Sequence, residues 1–175
     1  RFTLLMGDVA RSVRGIDLSP ALIAQAQNSA AAAGITRVQF ECRDAEAGLP
    51  EGPFDLVACM GVLSTLVDEQ PYRHLLAQLV ERVSPGGWLI TKDTVCETRD
   101  RVQQGSGYPI HYRLAKRYRQ DLIDAGLEPV TEFVLARWTA DQLNGLWLWR
   151  RPQTLTLKLL DAQERLMRWA RSGHG

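Results

Sequence analysis

The chain has 175 residues, 45% of them hydrophobic and 23% charged, which fits one folded, soluble domain and excludes collagen-like, low-complexity and disordered chains. Twenty-one Lys and Arg stand against 20 Asp and Glu, a formal charge of +1, so no global field draws the chain to nucleic acid or to an anionic membrane. Its apolar runs fall far short of the roughly 20 residues of a membrane helix, and three cysteines without C-x-x-C spacing, Cys42, Cys59 and Cys96, point away from a disulfide framework and toward reduced thiols in a cytoplasm.

The first residues, Arg1 to Met6, lack a full signal-peptide pattern. Val13-Arg14-Gly15-Ile16-Asp17 reads as a short strand closed by an acid. Ser19 and Pro20 then supply an N-cap and a first-turn proline for a helix from Ala21 to Ala33, which Gly34 stops. Val38 to Cys42 alternates apolar and polar residues as a strand, and Phe54 to Met60 reads as a buried central strand. Leu75, Leu76, Leu79, Val80 and Val83 recur at helical spacing between Gln70 and Val83, before Pro85-Gly86-Gly87 turns the chain into Trp88 to Lys92. A long polar stretch from Asp93 to Ile110 reads as a functional loop. His111 to Ala125 reads as a helix, Glu128 to Trp138 and Gly145 to Arg151 as a strand pair, and Leu155 to Arg171 as an amphipathic helix. This βα alternation predicts a mostly parallel sheet with helices on both faces.

An acid at the carboxyl end of a parallel strand lies where open α/β sheets bind ligands, so Asp17 is a candidate to accept the hydroxyls of a ribose. Asp44, with Ala45 beside it, leaves the next strand and offers a carboxylate for an adenine amino group; a plain turn is the competing reading. Gly61, after Cys59-Met60, lets a ligand approach backbone closely. The scattered His74, His111 and His174 lack zinc-site spacing, and neither a nucleophile elbow nor a P-loop is present.

Taken in order, Val13 to Pro20, Arg43-Asp44-Ala45, Phe54 to Cys59 and Ser84 to Ile90 resemble the motif series of class I S-adenosylmethionine-dependent methyltransferases, over Ser12 to about Arg151. The resemblance implies a single domain over residues 1–175. Its fold would be Rossmann-like, with a seven-stranded, mostly parallel sheet ending in an antiparallel hairpin. It also implies S-adenosyl-L-methionine as cofactor, leaving as S-adenosyl-L-homocysteine. Asp17 would bind the cofactor ribose, Leu18 flank adenine, Asp44 hold the adenine amino group with Ala45 beside it, and Cys59, Met60 and Gly61 line the methionine side. One departure stands out: the glycine-rich loop expected about 20 residues before Asp17 has no counterpart, only Gly7 and Asp8 preceding it. The expectation is that the first strand and this loop are missing from the sequence, with the break just before or around Val9.

The implied reaction is in-line transfer of a sulfonium methyl to a small-molecule acceptor, which needs a base only if the acceptor must lose a proton. Tyr108, His111 and Tyr112, at the end of the long loop, are the candidate catalytic residues; Asp93 contacts acceptor or caps. Packing of the two tyrosines with a solvated His111 is the competing reading. Trp138, Trp147 and Trp149 offer stacking surfaces but suit a core, and Arg113, Lys116, Arg117 and Arg119 read as a solvated basic helix face. No metal, nucleic acid or membrane is expected. The helix from Leu155 to Arg171 offers a homodimer contact, a partner surface or a cover for the active site. Two alternatives accompany this reading: a catalytically inactive, methyltransferase-like binding partner, and a nicotinamide oxidoreductase.

Overall fold

In a computed structural model, described over residues 2–105 and 107–153, the chain divides into two compact units, Arg1–Glu51 and Gly52–Gly175. The amphipathic segment from Leu155 to Arg171 lies outside the described residues.

The first unit holds α1 (Phe2–Val9), β1 (Val13–Asp17), α2 (Pro20–Ala32) and β2 (Val38–Cys42). The strands are parallel and in register from Val13↔Val38 to Asp17↔Cys42. Ser19 caps α2 as its sequence promises, its hydroxyl accepting the Leu22 N–H at 3.3 Å with Pro20 in the first turn. The helix α1 has no counterpart in the sequence reading. Gly7 explains how it fits, because a Cβ there would lie 2.7 Å from methyls of Ile35 and Val38. Helical bonding continues through Val9, with the Ala10 N–H on the Met6 carbonyl at 2.8 Å.

The second unit is built on a four-stranded mixed sheet of order β3-β4-β8-β7. Its strands are β3 (Phe54–Met60), β4 (Val83–Cys96), β7 (Glu128–Arg137) and β8 (Gln142–Arg150). β3 and β4 run parallel, while β8 pairs antiparallel with both β4 and β7. Two helices, α3 (Glu69–Arg82) and α4 (Ala115–Asp124), bury Tyr72, Leu75, Leu76 and Leu79 from one and Tyr118 and Leu122 from the other. Trp147 and Trp149 complete this core, Trp147 packing 5.0 Å from the Tyr118 ring and Trp149 donating to the Thr91 hydroxyl at 3.2 Å. They are core rather than stacking surfaces, whereas Trp138 is exposed.

Two expectations are corrected. The described strands form no single seven-stranded, mostly parallel sheet: the architecture is α/β, with a parallel pair, the mixed four-stranded sheet and an antiparallel ribbon of β5 (Arg101–Gln104) and β6 (Pro109–Tyr112). The polar stretch from Asp93 is strand to Cys96 and then this ribbon, so His111 and Tyr112 sit on a strand and not at the start of a helix. Backbone pairing between Arg101–Gln104 and Pro109–Tyr112 overrides a weak helical pattern there.

Candidate active site

Within the first unit the carboxyl ends of β1 and β2 lie side by side, tied by the Arg43 N–H on the Asp17 carbonyl at 3.0 Å. Asp17 Oδ1 accepts the Ser19 N–H at 2.8 Å, which fixes the carboxylate, and Oδ2 takes no hydrogen bond among the described residues. Leu18 beside it is 69% exposed, an apolar side chain standing in solvent at a strand end. Asp44 is exposed and accepts the Glu46 N–H at 2.8 Å, in a turn whose next residue, Ala45, is half-buried. A carboxylate with one oxygen anchored and one open suits a diol. The exposed leucine suits the face of a base.

Within the second unit β3 ends in Cys59, Met60 and Gly61. Gly61 donates to the Lys92 carbonyl at 2.6 Å and turns with φ +77°, and the space that a Cβ would occupy there is open. Glycine enters this left-handed region at little cost. The thiol of Cys59 is buried, and burial together with the nearby Asp93 charge raises its pKa far above the usual thiol range. It is a core thiol and not a nucleophile.

The segment after Gly61 is pinned from three sides. Asp93, buried in β4, accepts the Ser64 N–H and the Tyr118 hydroxyl, each at 3.0 Å. Burial raises its carboxyl to about 6, although these hydrogen bonds and the charge of Arg113 pull the other way. Asp93 thereby braces the short 3-10 turn Leu63–Thr65 from across the fold. Arg113, just past β6, is 2% exposed and donates to the Leu63 carbonyl at 2.9 Å and the Leu66 carbonyl at 2.8 Å. Its guanidinium carbon lies 3.5 Å from the centre of the Tyr72 ring. Arg113 is therefore no part of a solvated helix face.

His111 is buried, with Nδ1 3.3 Å from the Val67 carbonyl and Nε2 3.4 Å from Asp100. Both ring nitrogens thus face protein partners. Asp100 is itself crowded with donors, the Leu114 N–H at 2.6 Å and Arg117 at 2.8 Å, and titrates below the usual carboxylate range. Those donors outweigh the opposing cost of its partial burial. Arg117 also pairs with Glu69, and Arg119 with Glu132 at 2.6 and 2.8 Å, so two more of the expected solvated cations are engaged. Tyr108 is 53% exposed in the turn between β5 and β6, where its carbonyl accepts the Gly105 N–H at 2.9 Å; Tyr112 is half-buried.

Sequence reasoning missed Arg113, Ser64, Tyr118 and Asp100 as site-shaping groups. The alternation Ile110-His111-Tyr112-Arg113 was the available signal, because on a strand it sends His111 and Arg113 to one face. Among the described residues no group of three His, Cys, Asp or Glu could hold a metal, and no helix is long and apolar enough to cross a membrane.

Residues 1–87 match the model of a methyltransferase domain family. The match covers just under half of the chain and places that part with methyltransferase domains. No curated protein matches the sequence. Among solved structures, a methyltransferase from Methanosarcina mazei is similar at 15% identity and TM-score 0.70, over 86% of this chain and 87% of that one. The N-methyltransferase NodS from Bradyrhizobium japonicum, solved with S-adenosyl-L-homocysteine, is similar at 18% identity and TM-score 0.62, over 86% and 83%. The [4+2]-cyclase SpnF is similar at 19% identity and TM-score 0.67, over 86% and 69%. At such identities these structures speak for the fold, on which different chemistries recur.

Proposed function

We propose that this chain is a class I S-adenosyl-L-methionine-dependent methyltransferase, which transfers a methyl group to a small-molecule acceptor by in-line displacement. The observation that carries the reading is the pair of acids, Asp17 and Asp44, at the adjacent carboxyl ends of two parallel strands in register. Asp17, with its open Oδ2, accepts the ribose hydroxyls, and Leu18 covers one face of adenine. Asp44 accepts from the adenine amino group with Ala45 alongside. Cys59, Met60 and Gly61 line the methionine side, Gly61 supplying the open approach.

When bound, the cofactor supplies an electrophilic sulfonium methyl, so the protein's main task is to hold the acceptor in line with it. Tyr108 and Tyr112 contact the acceptor in this reading, and His111 orients β6, which carries Tyr112 and follows the turn that holds Tyr108, since both its nitrogens are turned to Val67 and Asp100. Acceptors that are already nucleophilic at neutral pH suit such a site, because it spares a general base. The near-balanced charge supports a small molecule over a polymer.

The protein acts in the cytoplasm. Calorimetry with S-adenosylmethionine and S-adenosylhomocysteine tests the reading: saturable micromolar binding that Asp17→Ala abolishes supports it, and a folded chain that binds neither refutes it. In that event the second reading, a catalytically inactive binding partner, gains weight, favoured by the engagement of both His111 nitrogens.

A further inference from the structure

Besides the Gly61 N–H on the Lys92 carbonyl and the local bonds of Thr65 to the Val62 carbonyl, the backbone from Gly61 to Val67 is held by side chains from distant parts of the sequence. Arg113 takes two of its carbonyls, those of Leu63 and Leu66, and His111 faces a third, that of Val67. Asp93 takes the Ser64 N–H. A buried guanidinium carries a large desolvation cost unless its donors are met. Here two nitrogens meet carbonyls, the flat face lies on the Tyr72 ring, and Glu69 at 3.6 Å balances the charge. The fork of an arginine is what lets one side chain span the carbonyls of Leu63 and Leu66, and a lysine cannot reproduce it. Removing the group leaves both carbonyls unpaired in a dry site, so the segment must rearrange.

We propose that Arg113 is a positioning residue for the cofactor's methionine end. It sets the shape of the segment that follows Cys59-Met60-Gly61 and locks it to β6, so that the strand bearing the acceptor residue Tyr112 and the loop receiving the donor move as one body. The proposal rests on the reading of Cys59 to Gly61 as the methionine side. It assigns no contact between Arg113 and any ligand. Its effect passes through the carbonyls of Leu63 and Leu66.

Two probes separate this role from a general loss of structure. S-adenosylhomocysteine carries the amino acid end, whereas 5′-deoxy-5′-methylthioadenosine presents the same nucleoside without it. Calorimetry on the full chain with Arg113→Lys is expected to show S-adenosylhomocysteine binding weakened about tenfold or more, the loss of roughly one to two hydrogen bonds' worth of order. Binding of methylthioadenosine is expected to stay within about twofold, since no step links Arg113 to Asp17 or Asp44. A second variant, Arg113→Ala, is expected to regain S-adenosylhomocysteine binding on addition of guanidinium ion, which can fill the vacated space. Equal weakening of both probes overturns the proposal, and so does unchanged binding of both. If the unsubstituted chain binds methylthioadenosine and not S-adenosylhomocysteine, the methionine-side assignment fails. If it binds neither, the cofactor reading of the whole site fails, and the proposal falls with it.

Discussion

Tyr118 donates its phenolic hydrogen to Asp93 at 3.0 Å, and both side chains are buried, at 2% exposure each. The pair joins α4 to β4, and through the Ser64 N–H it extends to the segment after β3. Its existence shows which force dominates at Asp93. Two hydrogen bonds favour the carboxylate, yet burial still raises the pKa from 3.8 to about 6.

That shift fixes a sign for stability against pH. Below the ordinary value of 3.8 the carboxyl is protonated whether folded or not, and nothing is gained or lost. Between there and about 6 the folded chain holds the extra proton, so stability falls as pH rises across this window. Above it the folded state carries the full cost of the buried charge, on the order of 3 kcal/mol. Urea midpoints across this window should therefore decline for the unsubstituted chain and stay level for Asp93→Asn, whose amide can still accept from Ser64 and donate to Tyr118. An equal decline in both would show that Asp93 is not the source.

Asp17 makes a prediction of the opposite kind, a large effect on binding with little on folding. Its carboxylate has one internal hydrogen bond, to the Ser19 N–H, at a partly exposed strand end. Asp17→Ala should therefore cost at most about 1 kcal/mol of stability. Loss of two charge-assisted bonds to the ribose should weaken S-adenosylhomocysteine by about two orders of magnitude or more. Melting curves and calorimetry on the same sample check both halves. A variant that binds normally would remove Asp17 from the site.

Most of the core strands and helices were legible because each is a short apolar pattern with its own punctuation. Val13–Asp17, Val38–Cys42 and Phe54–Met60 are strands as the alternation indicates, and Ser19-Pro20 starts α2 where a cap and a proline should. The helix α1 was not legible, since Phe2–Val9 offers no cap and its apolar run suggests no definite element. The ribbon of β5 and β6 was missed for another reason. Its strands are four residues each and are stabilised by pairing with one another, a contact no local window contains. Asp17 and Asp44 stand out in sequence because an acid closing a strand is a local signal. The grip of Arg113 on Leu63 and Leu66 spans about 50 residues, and only the fold brings those groups together.

Gly61 turns with φ +77°, yet a Cβ there would meet nothing within 4 Å. Strain and crowding therefore separate cleanly at this residue. Gly61→Ala should destabilise by about 1–2 kcal/mol through the left-handed backbone alone. Gly61→Val should add a further loss in S-adenosylhomocysteine affinity, because the branched side chain fills the approach. Chemical denaturation and calorimetry of the two variants distinguish these effects. Equal ligand affinity in Gly61→Val and the parent would show that the open space is not used.

Glu132 on β7 accepts two bonds from Arg119 on α4, at 2.6 and 2.8 Å. The pairing holds its carboxyl below the usual carboxylate range, with the Arg119 hydrogen bonds the leading cause. Here the pH sign is the reverse of that at Asp93. A depressed pKa contributes stability that is present at neutral pH and disappears as pH falls through the acid range. Both side chains are about a third exposed, at 40% and 32%, so solvent screening limits the contribution to about 0.5 kcal/mol. Glu132→Gln should thus cost a few tenths of a kcal/mol at pH 7 and almost nothing near pH 3, and salt should shrink the difference. In an Asp93→Asn background, which lacks the opposing slope, the small gap in urea midpoints between Glu132 and Glu132→Gln should close as pH falls from about 5 to about 3. A Glu132→Gln effect that grows toward acid pH would mean that the pair is not formed in solution.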